Sequence, residues 1–241
     1  MSTLQHHVAV VTGASSGIGR ALALGLAAQG ARLCLIGRKL ESLRAVVDAT
    51  GSTGTHLCYQ ADLALDHEVD ALVASLQRDV QSVDILVHAA GAIWLAPFES
   101  ATAEQLDEQY KVNVRAPYVL TQGLLPSLIS RQGQVLFVNS SAALSAKAHA
   151  GQYAASKHAL KAVVDSLREE VNPAGVRVLS LFLGRTASPM QAAVHAMEGK
   201  AYLPELLMQP QDVAAMALHA LALPRSIEVT DISMRPLLKS Y

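Results

Sequence analysis

The chain has 241 residues, 51% hydrophobic and 16% charged, with a formal net charge of −1; that is enough apolar material for a sizeable core and excludes disorder as the main state. With 19 basic against 20 acidic residues and no run of like charge, it offers no electrostatic footprint for nucleic acid or an anionic membrane. No apolar stretch approaches the roughly 18 residues of a membrane span, and the first apolar run, residues 8–11, is too short for a signal-peptide core, so a cytoplasmic protein is expected.

Short aliphatic and β-branched runs alternate with longer segments of helical period. Strands are predicted at residues 8–12, 32–36, 56–59, 85–88, 134–138, 176–182 and 227–234. Such alternation gives a three-layer α/β architecture, a doubly wound parallel sheet of about seven strands with helices on both faces. No linker or repeat divides the chain, so a single domain over residues 1–241 is expected. Cys34 and Cys58 fall in predicted strands and read as reduced, buried thiols.

The first strand runs into Thr12-Gly13-Ala14-Ser15-Ser16-Gly17-Ile18-Gly19, after which a helix over residues 17–29 stops at Gly30. Glycines there let backbone approach a pyrophosphate, and free N–H groups at the positive end of the helix dipole favour its charge. Gly13, Ser15, Ser16, Gly17, Ile18 and Gly19 are therefore the candidate dinucleotide cradle. The second strand ends in Ile36-Gly37-Arg38-Lys39, where an NAD-preferring site offers a carboxylate. Arg38 suits the 2′-phosphate of NADP(H), with NAD(H) as the second possibility and a solvated helix start as the plain alternative. Asp62, closing the third strand, is placed to accept from an adenine amino group.

A helix over residues 152–171 carries Tyr153 and Lys157, four apart and so on one face. An ammonium beside a phenol stabilises the phenolate and lowers a pKa of about 10. Ser140, thirteen residues before the tyrosine, offers a hydroxyl to the same reacting oxygen, with Ser141 as its competitor.

Thr12-Gly-Ala-Ser-Ser-Gly-Ile-Gly19, Asp62, Ala89-Ala90-Gly91, Asn113, Asn139-Ser140-Ser141 and Tyr153-Ala-Ala-Ser-Lys157 together resemble the short-chain dehydrogenase/reductase family, in its single-domain branch of about 250 residues. The resemblance covers almost the whole chain. It implies a Rossmann-type sheet, a nicotinamide cofactor and a catalytic tetrad of Asn113, Ser140, Tyr153 and Lys157. In that reading Tyr153 is the general acid or base for a carbonyl or alcohol substrate, and Ser140 orients the reacting oxygen. Lys157 binds the nicotinamide ribose and keeps the tyrosine acidic, while Asn113 holds a water that relays protons to Lys157. Leu63, Ala90, Gly91, Thr186 and Ser188 complete the cofactor contacts, Ser188 meeting the carboxamide. No metal site is expected. A dinucleotide-binding sensor or scaffold without turnover, and an NAD-dependent dehydrogenase, are the alternative functions.

The chain departs from the family pattern in three places. His88-Ala89 stands where two asparagines usually tie neighbouring strands, and His88 reads as a structural histidine. Leu183-Gly184 stands where Pro-Gly is usual, and the ending at residues 227–236 lacks Asp-Gly-Gly. Trp94 either lines an apolar substrate pocket or simply packs. Residues 187–204 fall where the family carries a substrate lid. Low charge and the resemblance predict a homodimer or homotetramer built on helices within residues 104–128 and 152–171.

Overall fold

The computed structural model describes residues 4–52 and 56–238; Met1 to Thr3, Thr53 to Thr55 and Lys239 to Tyr241, the ends of the expected 1–241 domain included, lie outside the described residues. Strands β1 (Val8–Thr12), β2 (Arg32–Gly37), β3 (Leu57–Gln60), β4 (Ile85–His88), β5 (Gln134–Ser140), β6 (Arg177–Leu183) and β7 (Asp231–Met234) form one sheet in the order β3-β2-β1-β4-β5-β6-β7. Every neighbouring pair is parallel. The order reverses between β1 and β4, which opens a crevice beyond the carboxyl ends of these two strands.

Burial on both faces explains why the strands read as continuous apolar runs. Alternate residues serve opposite cores: Ala9, Val11, Leu33, Leu35 and Leu136 face one, and Val10, Cys34, Ile36, Val135 and Phe137 the other. The first core is closed by α1 (Gly17–Ala28), α2 (Leu40–Ala49) and α8 (Pro210–Leu221), the second by α3 (Asp66–Asp79), α5 (Ala116–Ser130) and α6 (Gly151–Val171). Each fully buried leucine contributes about 1.5–3 kcal/mol by leaving water. Cys34 is buried in the second core, whereas Cys58, against expectation, is only half-buried against the first; the two thiols lie on opposite sides of the sheet and are free.

Two shorter helices, α4 (Ala103–Tyr110) and α7 (Pro189–Met197), stand over the carboxyl end of the sheet. Thr102 caps α4 through a reciprocal pair with Gln105. The chain then passes through a π-helical turn, Lys111–Arg115, into α5. Such an extra residue re-aims side chains and is frequent at functional sites; here it presents Asn113.

Strand limits shift from expectation where a side chain replaces a backbone partner. β7 starts at Asp231 rather than residue 227, because the Glu228 carboxylate accepts from Val178 N at 3.0 Å in place of a strand carbonyl. β3 starts at Leu57 rather than 56, because His56 Nδ1 accepts from Leu33 N at 3.1 Å. β6 starts at Arg177 because Gly175, at φ 79°, turns the chain and Val176 N still bonds Val171 O. β5 runs on to Ser140, paired with Leu183.

Candidate active site

The dinucleotide turn is built on close backbone approach. Gly13 has φ +64°, and a Cβ there would fall 2.7 Å from Ala90 N, so both conformation and space demand glycine. One added at Gly19 would fall 2.3 Å from Gly13 O. The Ser16 side chain makes no capping bond at the start of α1, which leaves the first N–H groups of the helix without an intrahelical partner. Thr12 Oγ1 accepts from Ala89 N and Ala90 N at 3.1 and 3.2 Å and lies 3.3 Å from Val87 O. That hydroxyl ties β1 to the turn after β4, the task for which His88-Ala89 offers no amide. Sequence reasoning passed over Thr12 as a site residue.

His88 is buried, stacks on Phe137 at a centroid distance of 4.7 Å and has Nε2 2.8 Å from Thr121 Oγ1. Burial pushes its pKa down to about 3. It is a neutral packing group between β4 and α5, with no contact to the tetrad. Arg38 and Lys39 are exposed, and no hydrogen bond or ion pair engages Arg38 among the described residues. Gly37 beside them presents no carboxylate. Asp62 Oδ1 accepts from Ala64 N at 3.0 Å while Asp62 N donates to Glu68 at 2.7 Å, fixing the loop after β3, with Leu63 buried beneath it. An uncapped helix start, a glycine turn and an unpartnered guanidinium fit a phosphorylated dinucleotide.

Ser140, Tyr153 and Lys157 meet at the end of β5 and the start of α6. The Ser140 hydroxyl lies beside the Tyr153 phenol, and its Oγ accepts from Ala142 N at 3.1 Å. Ser141, by contrast, opens a one-turn 3₁₀ helix and is exposed. Burial pushes the Tyr153 phenol above its ordinary pKa, and the Ser140 hydroxyl draws it back. Lys157 is buried; its Nζ donates to Val138 O at 3.2 Å and lies 5.8 Å from the Tyr153 ring centroid. Desolvation lowers its pKa to about 8. The ammonium is thus near the phenol but not bonded to it, and the expected lowering of the tyrosine is not present in this arrangement. Asn139, unassigned from sequence, holds both arms: its Oδ1 accepts from Ser140 N at 2.8 Å and its Nδ2 donates to Lys157 O at 3.4 Å.

Asn113 is buried and its amide is fully engaged. Oδ1 accepts from Ala92 N, and Nδ2 donates to Ala92 O and to Ser156 Oγ, each at 2.9 Å. The loop after Gly91 is tied twice more. Gln109 Oε1 accepts from Trp94 N at 3.0 Å, and His149 O accepts from Ala96 N at 2.9 Å. Gln109 is itself completely buried and donates to Gln105 O and Gln152 Oε1, both at 3.1 Å. This clamp, joining residues 43 apart in sequence, has no local signal and was not anticipated. Trp94 keeps 41% of its surface exposed on the loop so held.

The segment after β6 comes back to the turn. A Cβ at Gly17 would fall 3.2 Å from Ser188 Cβ, and one at Gly91 would fall 3.7 Å from Met190 Cε. Ser188 caps α7, its Oγ accepting from Gln191 N at 3.1 Å and donating to Thr186 O at 3.2 Å. The Tyr202 hydroxyl accepts from Ser188 N at 3.0 Å. Thr186 is buried and bridges to Met208.

A family model described as short chain dehydrogenase matches residues 7–199. An uncharacterized oxidoreductase of Staphylococcus aureus (strain USA300) is 29% identical over 237 residues, 98% of this chain and 100% of that protein. Among solved structures, a putative short chain dehydrogenase of Shigella flexneri 2a str. 301 complexed with NADP is 28% identical, with a TM-score of 0.87 over 97% of this chain and 99% of the other. A metagenomic short-chain oxidoreductase in complex with NADP is also 28% identical, with a TM-score of 0.83 over 98% and 100%. Among the described residues no helix is long and apolar enough to cross a membrane.

Proposed function

The chain belongs to the short-chain dehydrogenase family and is an oxidoreductase, and from that premise we propose that it exchanges hydride between NADP(H) and a carbonyl or secondary-alcohol substrate. The observation that carries this reading is the convergence of Ser140, Tyr153 and the buried Lys157 where β5 ends and α6 begins, with the Lys157 ammonium 5.8 Å from the Tyr153 ring centroid. When bound, the nicotinamide supplies or takes the hydride. Tyr153 gives its proton to a carbonyl oxygen, or takes one from an alcohol, and Ser140 fixes that oxygen by a second hydrogen bond. Lys157, held by Val138 O and Asn139, is placed to bind the nicotinamide ribose. Because the Asn113 amide is engaged at both ends, it acts first as the pin of the loop at Ala92. A relay water would rest on its main-chain carbonyl.

Gly13, Ser15, Ser16, Gly17, Ile18 and Gly19 form the pyrophosphate cradle, Arg38 reads the 2′-phosphate, and Asp62 and Leu63 flank the adenine. Ala90, Gly91, Thr186 and Ser188 line the nicotinamide end, with residues 187–204 as its cover. The NADP in the two related structures supports the phosphorylated cofactor, as does the unpartnered Arg38. Titration with NADPH and with NADH, followed by Trp94 fluorescence, tests the cofactor assignment: tighter NADPH binding is expected, with Arg38→Asp weakening NADPH roughly 10–100-fold, the range of a charge-assisted hydrogen bond. For the chemistry, Tyr153→Phe should lower kcat by roughly 10²–10⁴-fold on a carbonyl compound found by an NADPH-dependent screen, with NADPH affinity kept. Full activity in that variant would overturn the role of Tyr153.

A further inference from the structure

The segment leaving β6 borders a half-open cavity of about 200 Å3, lined by Arg185, His195, Lys200, Ala201, Leu203, Leu206 and Leu207. None of these residues belongs to the tetrad or the glycine turn. The cavity is chemically two-sided. Ala201, Leu203, Leu206 and Leu207 make one wall apolar. The other carries two permanent cations and a buried imidazole.

The charges around it do not cancel. Arg185 directs one guanidinium nitrogen to both oxygens of Glu198, at 2.6 and 2.8 Å, and its other terminal nitrogen lies 3.4 Å from His195 Nε2. His195 Nδ1 lies 2.8 Å from Gln191 O and 3.2 Å from Gln191 Nε2, which ties the imidazole to the first turn of α7. Burial pushes the Glu198 carboxyl up, but the Arg185 bonds and charge and the nearby Lys200 bring it below its ordinary range. Its one negative charge is committed to Arg185. Lys200 Nζ, 3.4 Å from Glu198 and with a side chain 48% exposed, stands at the rim with its charge only partly balanced.

We propose that this cavity is a binding site for a short aliphatic monocarboxylate, with the carboxylate on Lys200 and the free N–H groups of Arg185 and the hydrocarbon tail against Leu203, Leu206 and Leu207. Two cationic side chains against one carboxylate leave one surplus positive charge, which matches a monoanion rather than a phosphate dianion. The volume lies below the roughly 300–1,000 Å3 of a drug-sized pocket, which sets the ligand at about eight heavy atoms. The same strap carries Ser188 and Met190 to the glycine turn, so an occupant would brace the segment that covers the cofactor end. The proposal does not depend on which substrate the tetrad reduces.

Hexanoate is the probe, with hexan-1-ol and acetate as controls lacking the charge and the tail, and calorimetry of the full chain without cofactor as the readout. Saturable 1:1 hexanoate binding is expected, with both controls weaker by about tenfold or more, the loss of one charge-assisted contact or most of the apolar burial. Lys200→Met and, independently, Leu206→Asp should each weaken hexanoate by about tenfold or more, while Tyr153→Phe leaves it unchanged. No hexanoate binding, equal binding of hexan-1-ol, or binding lost in Tyr153→Phe but kept in Lys200→Met would each overturn the proposal. The last of these would place the acid in the catalytic cleft instead.

Discussion

Lys157 shows what the candidate site demands of a single residue. The residue is 4% exposed and its ammonium holds one carbonyl, Val138 O, too little to replace the water it gives up. A folded pKa of about 8 against an ordinary 10.5 means the folded chain binds fewer protons than the unfolded one between those values, so stability rises with pH across that window. Below pH 8 both states carry the proton and the full penalty, about 3 kcal/mol, is in force. Lys157→Met should therefore be at least as stable as the native chain at pH 7 in thermal or urea unfolding, while losing turnover. The gap should shrink as pH rises from about 8 toward 10.5; a gap that widens over that range would show that the lysine is not destabilising where it stands. Residues of this kind were legible in the sequence because their chemistry comes as a local pattern: Tyr153 and Lys157 one helical turn apart, Ser140 at a strand end, glycines between strand and helix. Thr12, Asn139 and Gln109 were not legible as site residues. They act by holding backbone from other parts of the chain, and a threonine or glutamine that ties a loop looks in sequence like any other.

At the scale of elements, the cleft wall after β4 depends on one buried glutamine. Gln109 serves Trp94 N, Gln105 O and Gln152 Oε1 at once, joining the loop to α4 and to the residue before Tyr153. Gln109→Leu keeps the volume but strands the part-buried Trp94 N–H and Gln152 amide oxygen, a loss of up to about 1–3 kcal/mol for each unmet group. Thermal unfolding should move down accordingly. Since the freed loop carries Trp94 and is pinned at Ala92 by Asn113, KM should rise by a larger factor than kcat falls; a variant with unchanged KM would confine Gln109 to stability. Element type and order were legible throughout, because burial on both faces of a parallel sheet leaves little choice of pattern. Element ends were less so. At Glu228 and His56 a side chain takes the hydrogen bond that a strand residue would otherwise make, and such substitutions depend on the neighbouring strand rather than on the segment itself.

For the molecule as a whole, the homo-oligomer expected from the low charge would need an apolar face, and α4, α5 and α6 carry candidates for one. Along α5, Tyr118 is 51% and Ile129 is 41% exposed, with Gln122 and Leu125 between them at helical spacing. Leu106 and Tyr110 of α4 continue the apolar surface. On α6, Ala155, Ala162 and Ser166 are exposed and small, which lets another helix approach closely. Exposed apolar residues scattered singly need no explanation, whereas a stripe along adjoining helices marks an interface. A two-fold pairing that sets α4, α5 and α6 against the same helices of a second copy is the arrangement this surface supports. Light scattering at micromolar concentration should then give a mass of two or four chains. Tyr118→Asp, at a half-exposed position of α5, should leave the unfolding of that chain within about 0.5 kcal/mol if it stood alone. In an assembly it places a charge in an apolar contact, and the mass should fall toward that of one chain. A native mass of one chain, or an assembly indifferent to Tyr118→Asp, would move the interface elsewhere. Because Ser140, Tyr153 and Lys157 lie on α6 or the strand it covers, dilution to the monomer should also reduce turnover per chain, through loosening of the helix that holds the tyrosine.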